Sequence, residues 1–339
     1  MSVFGSLRDR LALSRGIRHF ERTGETPSRA YRAMRRMYVR TRGRSLADLR
    51  ARLERPAAPS APGGRFAHWD RTTRAQVLDR LERDGCAVLP ERLEPEFVAR
   101  VLRFASETPC RFLRTTTTGA WSDERAPFDP TNPASSRYQF EPEQVLACAP
   151  AVELATDPSL AALAEAYLGA AAILDQITLW WSAPGYDQLR EAAAQAYHFD
   201  LDRPNFLKVF VYVTDVTPDT GPHCYVRGSH RNLIDAVARD GRHTDESIHA
   251  AYGPEAELQI CGPAGTVLLA DTLGFHKGLP PTAGPRLMLQ LEFTTSLFGA
   301  PLNRVPLERA PEALRASVGA GSMDWTGLIA TRGGLPERA

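Results

Sequence analysis

Lysine is almost absent from this sequence: Lys208 and Lys277 are the only lysines among 41 basic residues. Cysteine is scarce as well. Cys86, Cys110, Cys148, Cys224 and Cys261 are odd in number and form no Cys-x-x-Cys pair, which excludes a disulfide framework and a cysteine-based zinc site. A reducing cytoplasm is the simplest compartment for such a chain. No apolar run reaches the roughly 18–20 residues of a membrane span, and the N-terminus shows no apolar core of a secretory signal. A phosphate-binding Gly-x-x-x-x-Gly-Lys loop and a Gly-x-Ser-x-Gly nucleophile elbow are both missing, so two large enzyme classes lose their sequence signature.

What is present is an ordinary globular composition, 43% apolar and 24% charged, with a net charge of +1. The charge is unevenly spread. Residues 1–55 hold 15 arginines against 5 acidic residues. A basic arm of this kind suits an acidic partner or, more simply, a solvated helical face. No nucleic-acid partner is expected. Leu7, Leu11, Ile17 and Phe20, then Leu46, Leu49 and Leu53, recur at helical spacing. Residues 1–56 therefore read as a basic helical extension, and the Pro/Ala/Gly-rich 57–64 as a linker.

The remainder, 65–339, reads as one domain. Helices are expected from Thr72 or Thr73 to Glu82, over Glu94–Ser106, and over Pro158–Leu168 with Asp157 as its cap. Residues 111–143 are polar and rich in proline, and a stretch this long without regular structure predicts a lid loop. From 171 to 297 the pattern turns to strands: Ile173–Trp181, Phe206–Asp215, Leu258–Cys261, Thr266–Ala270 and Arg286–Thr295, divided by Gly/Pro/Asp clusters. Such an alternation predicts a barrel or jelly roll, followed by a tail over 298–339.

His-x-Asp occurs three times, at His68-Trp-Asp70, His198-Phe-Asp200 and His243-Thr-Asp245. On an extended strand, residues i and i+2 share a face, so both side chains can reach one ion. Asp70 and the Thr244-Asp245 pair each precede a helix and read as caps. His198-Phe-Asp200 alone lies between strands. His276 follows in a strand-to-loop setting. Two histidines and one carboxylate form a facial triad for Fe(II), which leaves the opposite face for co-substrate and O2. Ten residues on, Arg286 opens an apolar strand. A buried arginine needs an anion; the distal carboxylate of 2-oxoglutarate fits, and an ion pair with Glu292 or Asp271 is the structural alternative. Lys208, on the strand after the motif, reads either as a 2-oxoglutarate contact or as a snorkelling edge residue.

These stretches resemble the phytanoyl-CoA dioxygenase family. The likeness rests on His198-Phe-Asp-Leu-Asp-Arg-Pro-Asn-Phe-Leu-Lys-Val-Phe-Val-Tyr-Val, on Gly221-Pro-His-Cys-Tyr-Val-Arg-Gly-Ser-His230, and on the His276 to Arg286 spacing. It covers roughly residues 75–297. The resemblance implies a mainly β chain with flanking helices, built on a double-stranded β-helix (jelly-roll, cupin-like) core. It implies Fe(II), with 2-oxoglutarate and O2 as co-substrates. It also implies iron on His198, Asp200 and His276, and 2-oxoglutarate on Arg286. Halogenating relatives carry a small residue where this chain has Asp200, so the carboxylate points to hydroxylation or a related oxidation.

A small polar metabolite is the expected substrate, with Tyr197 and Trp180 beside the metal and Arg111, Arg114 and Trp121 on the lid as contacts. His223 and His230 read as structural. Two readings compete with an oxygenase: a metal-binding jelly roll acting as sensor or scaffold, and an interaction protein whose working part is the basic arm. The oligomeric state is not legible.

Overall fold

A computed structural model describes residues 3–57, 63–114, 120–185, 194–312, 314–315 and 324–330. Most of the expected linker, the Thr115–Gly119 stretch of the lid and much of the tail lie outside the described residues. Three helices come first: α1 (Val3–Thr23), α2 (Ser28–Thr41) and α3 (Ser45–Leu53). Then follow α4 (Arg71–Asp84), β1 (Cys86–Val88) and α5 (Pro95–Glu107). Asp70 caps α4 by accepting from the Thr73 amide, and Asp157 caps α8 (Pro158–Leu168) through the Leu160 amide. Both carboxylates satisfy amides that the helix itself leaves unpaired.

The segment 111–143 is more ordered than its composition predicts. Strand β2 (Arg111–Phe112) pairs antiparallel with β3 (Arg137–Gln139), and β3 pairs in turn with β4 (Ile173–Ser182). Helices α6 (Pro142–Ala147) and α7 (Ala149–Ala155) follow before α8. The polar residues hid two strands too short to show a period.

The remaining strands are β5 (Phe206–Tyr212), β6 (His223–Val226), β7 (Glu257–Ile260), β8 (Val267–Ala270), β9 (His276–Gly278), β10 (Arg286–Thr294), β11 (Val305–Pro306) and β12 (Ile329–Ala330), with helix α9 (Asp245–Tyr252) before β7. With β1 to β4 they make a seven-stranded sheet, β1-β8-β5-β10-β4-β3-β2, a three-stranded sheet, β7-β6-β9, and a parallel pair, β11-β12. Within the large sheet neighbouring strands run antiparallel. This is the antiparallel, helix-flanked jelly-roll architecture expected from the strand pattern.

Period-2 alternation divides the large sheet into two faces. Ile177, Leu179, Trp181, Leu207, Val209, Val211, Leu287, Leu289 and Leu291 bury one face, in a core shared with Val101, Leu154 and Leu163 of the flanking helices. The other face carries Gln176, Thr178, Trp180, Lys208, Phe210, Arg286, Met288 and Gln290, and these line a cavity with residues of the small sheet. The apolar face fastens the sheet to its helices, and the polar face is left for chemistry.

The basic extension is not a free arm. Leu13, Ile17, Met34, Tyr38, Leu46 and Leu49 share a second core with Tyr197, Phe199, Cys224, Val226 and Phe275. Several of its arginines pair with acids: Arg36 and Arg40 hold Asp9, and Arg35 and Arg42 reach across to Asp240 and Asp235.

Candidate metal centre

His198 and His276 face each other as a two-residue antiparallel bridge. Each backbone amide donates to the other's carbonyl, at 3.1 and 2.9 Å. The Asp200 amide donates to the Thr272 carbonyl at 2.7 Å, which keeps the chain extended past Phe199. Residues 198 and 200 thus project to one face while 197 and 199 project to the other. The imidazole centroids lie 4.3 Å apart. Asp200 Oδ1 is 3.7 Å from His198 Nε2, and Oδ2 is 3.4 Å from His276 Nε2.

The ring nitrogens are already assigned. His198 Nδ1 donates to the Ala196 carbonyl at 2.9 Å and His276 Nδ1 to the Gly274 carbonyl at 3.0 Å. A carbonyl can only accept, so both protons sit on Nδ1 and both Nε2 lone pairs face the shared space. Burial, then the neighbouring His276 ring, pushes His198 down to about 3, so it is neutral at physiological pH, as a ligand must be. Burial alone would raise the Asp200 carboxyl, but Lys208 and then His276 outweigh it and hold it well below the usual carboxylate range. One ligand atom from each of the three residues falls within 4.8 Å of the others. With ligand bonds of about 2 Å, adjacent donors on one ion sit about 3 Å apart, so small shifts close the set around a cation. The donor set and its tautomers fit a ferrous ion.

Lys208 stands behind the carboxylate. Its Nζ lies 2.7 Å from Asp200 Oδ2, 3.3 Å from Glu292 and 3.6 Å from Asp202. It is buried, yet these three acids hold its pKa above the ordinary lysine value. The residue lines the cavity, on a strand inside the sheet between β8 and β10. Lys208 is a buried counter-charge to a ligand and not an edge residue, and its ammonium is engaged by protein carboxylates. Asp202 reaches Lys208 and stays outside the triad.

Arg286 settles on the other side of the cavity. It is 4% exposed, and its closest polar contact is Ser182 Oγ at 3.4 Å from Nη2. Nε and Nη1 have no partner among the described residues. The candidate internal partners are occupied elsewhere: Glu292 stands beside Lys208, and Asp271 accepts from Tyr167 Oη at 2.8 Å. A buried guanidinium without a carboxylate is the arrangement that a bound carboxylate completes.

The cavity joining these groups measures about 240 Å³ and opens to solvent between the two sheets. Of the expected substrate contacts, only Trp180 lines it. Tyr197 turns away: it is fully buried in the second core, its hydroxyl donates to Glu257 at 2.6 Å, and Lys277 Nζ lies 4.3 Å from its ring centre. Its position one residue before His198 puts it on the opposite face. Arg111 is bonded to the Ser122 carbonyl and Glu141, Arg114 to Asp123, and Trp121 bridges Leu113. None of the three is among the cavity-lining residues. His223 does line the cavity, stacked 5.5 Å from His276. Burial, then the neighbouring His276 ring and the Arg286 charge, holds it well below the ordinary histidine value. His230 packs near Gly85, with Nε2 at 3.3 Å from the Glu82 carbonyl. The other two His-x-Asp motifs serve as caps, through Asp70 and through Thr244, which accepts from the Ser247 amide.

Reading the sequence alone missed Arg137 and Gln139, which β3 delivers to the cavity, and Gln176, Thr178 and Gln290. The last three were legible in principle, because polar and apolar residues alternate through Gln176-Ile-Thr-Leu-Trp180 and Arg286-Leu-Met-Leu-Gln290.

Comparison with known proteins identifies the family. The phytanoyl-CoA dioxygenase (PhyH) family model matches residues 81–288, more than half of the chain. The chain belongs to the phytanoyl-CoA dioxygenase family. As a PhyH protein it is a non-haem Fe(II)- and 2-oxoglutarate-dependent oxygenase. Solved structures similar to it include AviO1 from Streptomyces viridochromogenes Tue57, at 22% identity, covering 65% of this chain and 94% of that one with a TM-score of 0.46. EctD from S. alaskensis with bound Fe is 20% identical over 83% of this chain and 95% of that one, with a TM-score of 0.49. HygX from Streptomyces hygroscopicus, solved with nickel, 2-oxoglutarate and hygromycin B, is 16% identical over 73% and 94%, with a TM-score of 0.46. Among curated proteins no relative matches. No helix among the described residues is long and apolar enough to cross a membrane.

Proposed function

We propose that this PhyH oxygenase oxidises a small polar metabolite, with His198, Asp200 and His276 as iron ligands and Arg286 as the anchor of 2-oxoglutarate. One observation carries the reading. Two Nε2 lone pairs and a carboxylate converge in a cavity whose opposite wall holds a buried guanidinium with two unpartnered nitrogens. When bound, Fe(II) with 2-oxoglutarate and O2 supplies the oxidation of a substrate C–H bond, coupled to release of succinate and CO2.

The chain's own part is to bind, orient and exclude. The Ala196 and Gly274 carbonyls hold both imidazoles in the ligating tautomer. Lys208 keeps Asp200 ionised. Arg286 fixes the co-substrate's far end while its keto-acid end faces the triad. Gln176, Thr178 and Gln290 offer neutral hydrogen-bonding groups to a polar substrate. The carboxylate at position 200 occupies the place a halide would need, which favours oxygen transfer, or a desaturation or ring closure, over halogenation.

The test is an anaerobic titration of metal-free protein with Fe(II) and then 2-oxoglutarate, followed by the visible charge-transfer band. Wild type is expected to show the band, His198→Ala to lose it, and Arg286→Ala to need at least about tenfold more 2-oxoglutarate, equivalent to about 1.4 kcal/mol. A wild type that binds iron and shows no band would instead leave a metal-binding scaffold.

A further inference from the structure

Helix α1 carries cations that no acid nearby neutralises. Residues 1–30 contain three acids, Asp9, Glu21 and Glu25, and each is engaged from another element. Asp9 is held by Arg36 and Arg40, Glu21 by Arg52, and Glu25 by Arg304. Arg8, Arg15, Arg18 and Arg22 of α1 and Arg29 of α2 are exposed. Among the described residues no carboxylate stands within ion-pair distance of them. Arg18 and Arg22 bond along their own helix, to Ser14 Oγ and to the Arg18 carbonyl. The arginines of the extension thus divide into two sets, one spent on the fold and one left outside it.

The unspent set shares its face with apolar side chains. Leu7 and Leu11 are 57% and 48% exposed, and they are the exposed large hydrophobic residues of the described chain. At 3.6 residues per turn, Leu7, Leu11, Arg8, Arg15, Arg18 and Arg22 fall within an arc of about 100° along about 22 Å of helix. The leucines stand toward the N-terminal end and the arginines continue from them. The opposite face is fixed: Leu13 and Ile17 lie in the second core, and a Cβ on Gly16 would collide with Ala30 Cβ of α2. The outer face is therefore a preformed plane, and binding to it costs no folding of the helix. Between α1 and the start of α2 runs a groove lined by Arg8, Leu11, Arg15, His19, Arg22 and Arg29.

We propose that the outer face of α1 docks the protein on an anionic phospholipid surface. Such a surface offers a layer of phosphates to the arginines and, directly beneath it, apolar space for Leu7 and Leu11. An acidic peptide would meet the arginines equally well but would set its carboxylates against the leucines. The helix lies on the bilayer and does not cross it, because no described helix is long and apolar enough to do so. This docking is independent of the metal site.

The test is co-sedimentation of the full chain with vesicles of phosphatidylcholine alone and of phosphatidylcholine with about one-third phosphatidylglycerol. Wild type is expected to bind the anionic vesicles, not the neutral ones, and to be released progressively by salt. Arg15→Gln combined with Arg22→Gln is expected to weaken binding at least tenfold, because each arginine at such a surface contributes roughly fivefold. Leu7→Gln combined with Leu11→Gln is expected to weaken it about fivefold or more. These positions are exposed, so unchanged thermal melts are expected to show that the fold is intact. Arg92→Gln combined with Arg103→Gln removes the same charge from exposed positions at and before α5 and should stay within about twofold of wild type. A wild type that leaves the anionic vesicles alone overturns the proposal; retention on poly-glutamate through the same arginines would then assign the face to an acidic protein. Equal losses in the α1 and α5 arginine pairs also overturn it, since net charge and not this face would govern binding. Wild-type affinity in the leucine variant does so too, because the leucines would then enter no apolar layer.

Discussion

Lys208 is one of two lysines in the chain, and its setting explains why arginine does not replace it. A compact ammonium fits among Asp200, Asp202 and Glu292, where a planar guanidinium would overreach. Glu292 is fully buried, and burial raises its pKa well above the ordinary value against the pull of Lys208. Removing one member of a buried charge cluster leaves the others uncompensated, at a cost of about 3–5 kcal/mol. Lys208→Met is therefore expected to lower the urea-denaturation stability of the metal-free protein by that amount. Adding Glu292→Gln to Lys208→Met should restore part of the loss, because one of the stranded acids is gone. A Lys208→Met variant within about 1 kcal/mol of wild type would show that the cluster carries no such weight.

At the scale of the element, the small sheet positions the cavity wall that carries Arg286. Strand β9 runs from the proposed ligand His276 to Gly278, and β6 pairs its His223 with that glycine. A Cβ on Gly278 would stand 3.0 Å from Arg286 Nη2. Glycine is needed here because a guanidinium passes over the strand, not because of a left-handed backbone. Gly278→Ala must displace the guanidinium by a few tenths of an ångström. On the proposed role of Arg286 it should raise the 2-oxoglutarate dissociation constant about fivefold, roughly 1 kcal/mol, with little change in Tm. Equal affinity for 2-oxoglutarate in this variant would place the distal carboxylate elsewhere.

The same element shows what a sequence can reveal. Long strands with strict alternation, such as β4, β5 and β10, were legible to within a few residues. So were helices with an Asp cap, because local hydrogen bonding determines where they begin. The triad was legible because i and i+2 on a strand share a face. Strand β9, three residues long, and β3, buried in a proline-rich stretch, carry no periodicity, and only pairing with distant strands forms them. Arg137 was missed for that reason. Tyr197 was misplaced for another: proximity in sequence to His198 was read as proximity to the metal, although the pleat turns neighbours to opposite faces.

On the scale of the whole molecule, the apolar stripe of the N-terminal extension, more than its charge, ties it to the rest of the chain. Tyr38 packs on Phe199 with ring centroids 5.2 Å apart, and Phe199 is the residue between the two proposed ligands His198 and Asp200. Phe20 packs edge-on against Phe298 at 5.5 Å. Arg50 Nε donates to the Pro204 carbonyl at 3.0 Å, and Glu54 accepts from Asn205 at 2.7 Å and Thr295 at 2.9 Å. We infer that residues 1–56 are part of the oxygenase fold, backing the strand that bears the metal site. Truncation to 57–339 would uncover Tyr197, Phe199, Cys224 and Phe275 as a contiguous apolar patch. The truncated chain is expected to aggregate or to lose Fe(II) binding. Met34→Ala, at a fully buried position of the same core, should cost about 2–5 kcal/mol without touching any cavity residue. An appended interaction module predicts the opposite: a truncated chain with an unchanged Tm and an unchanged charge-transfer band. The two measurements together decide whether this extension is a detachable module or a helical layer that the metal site needs behind it.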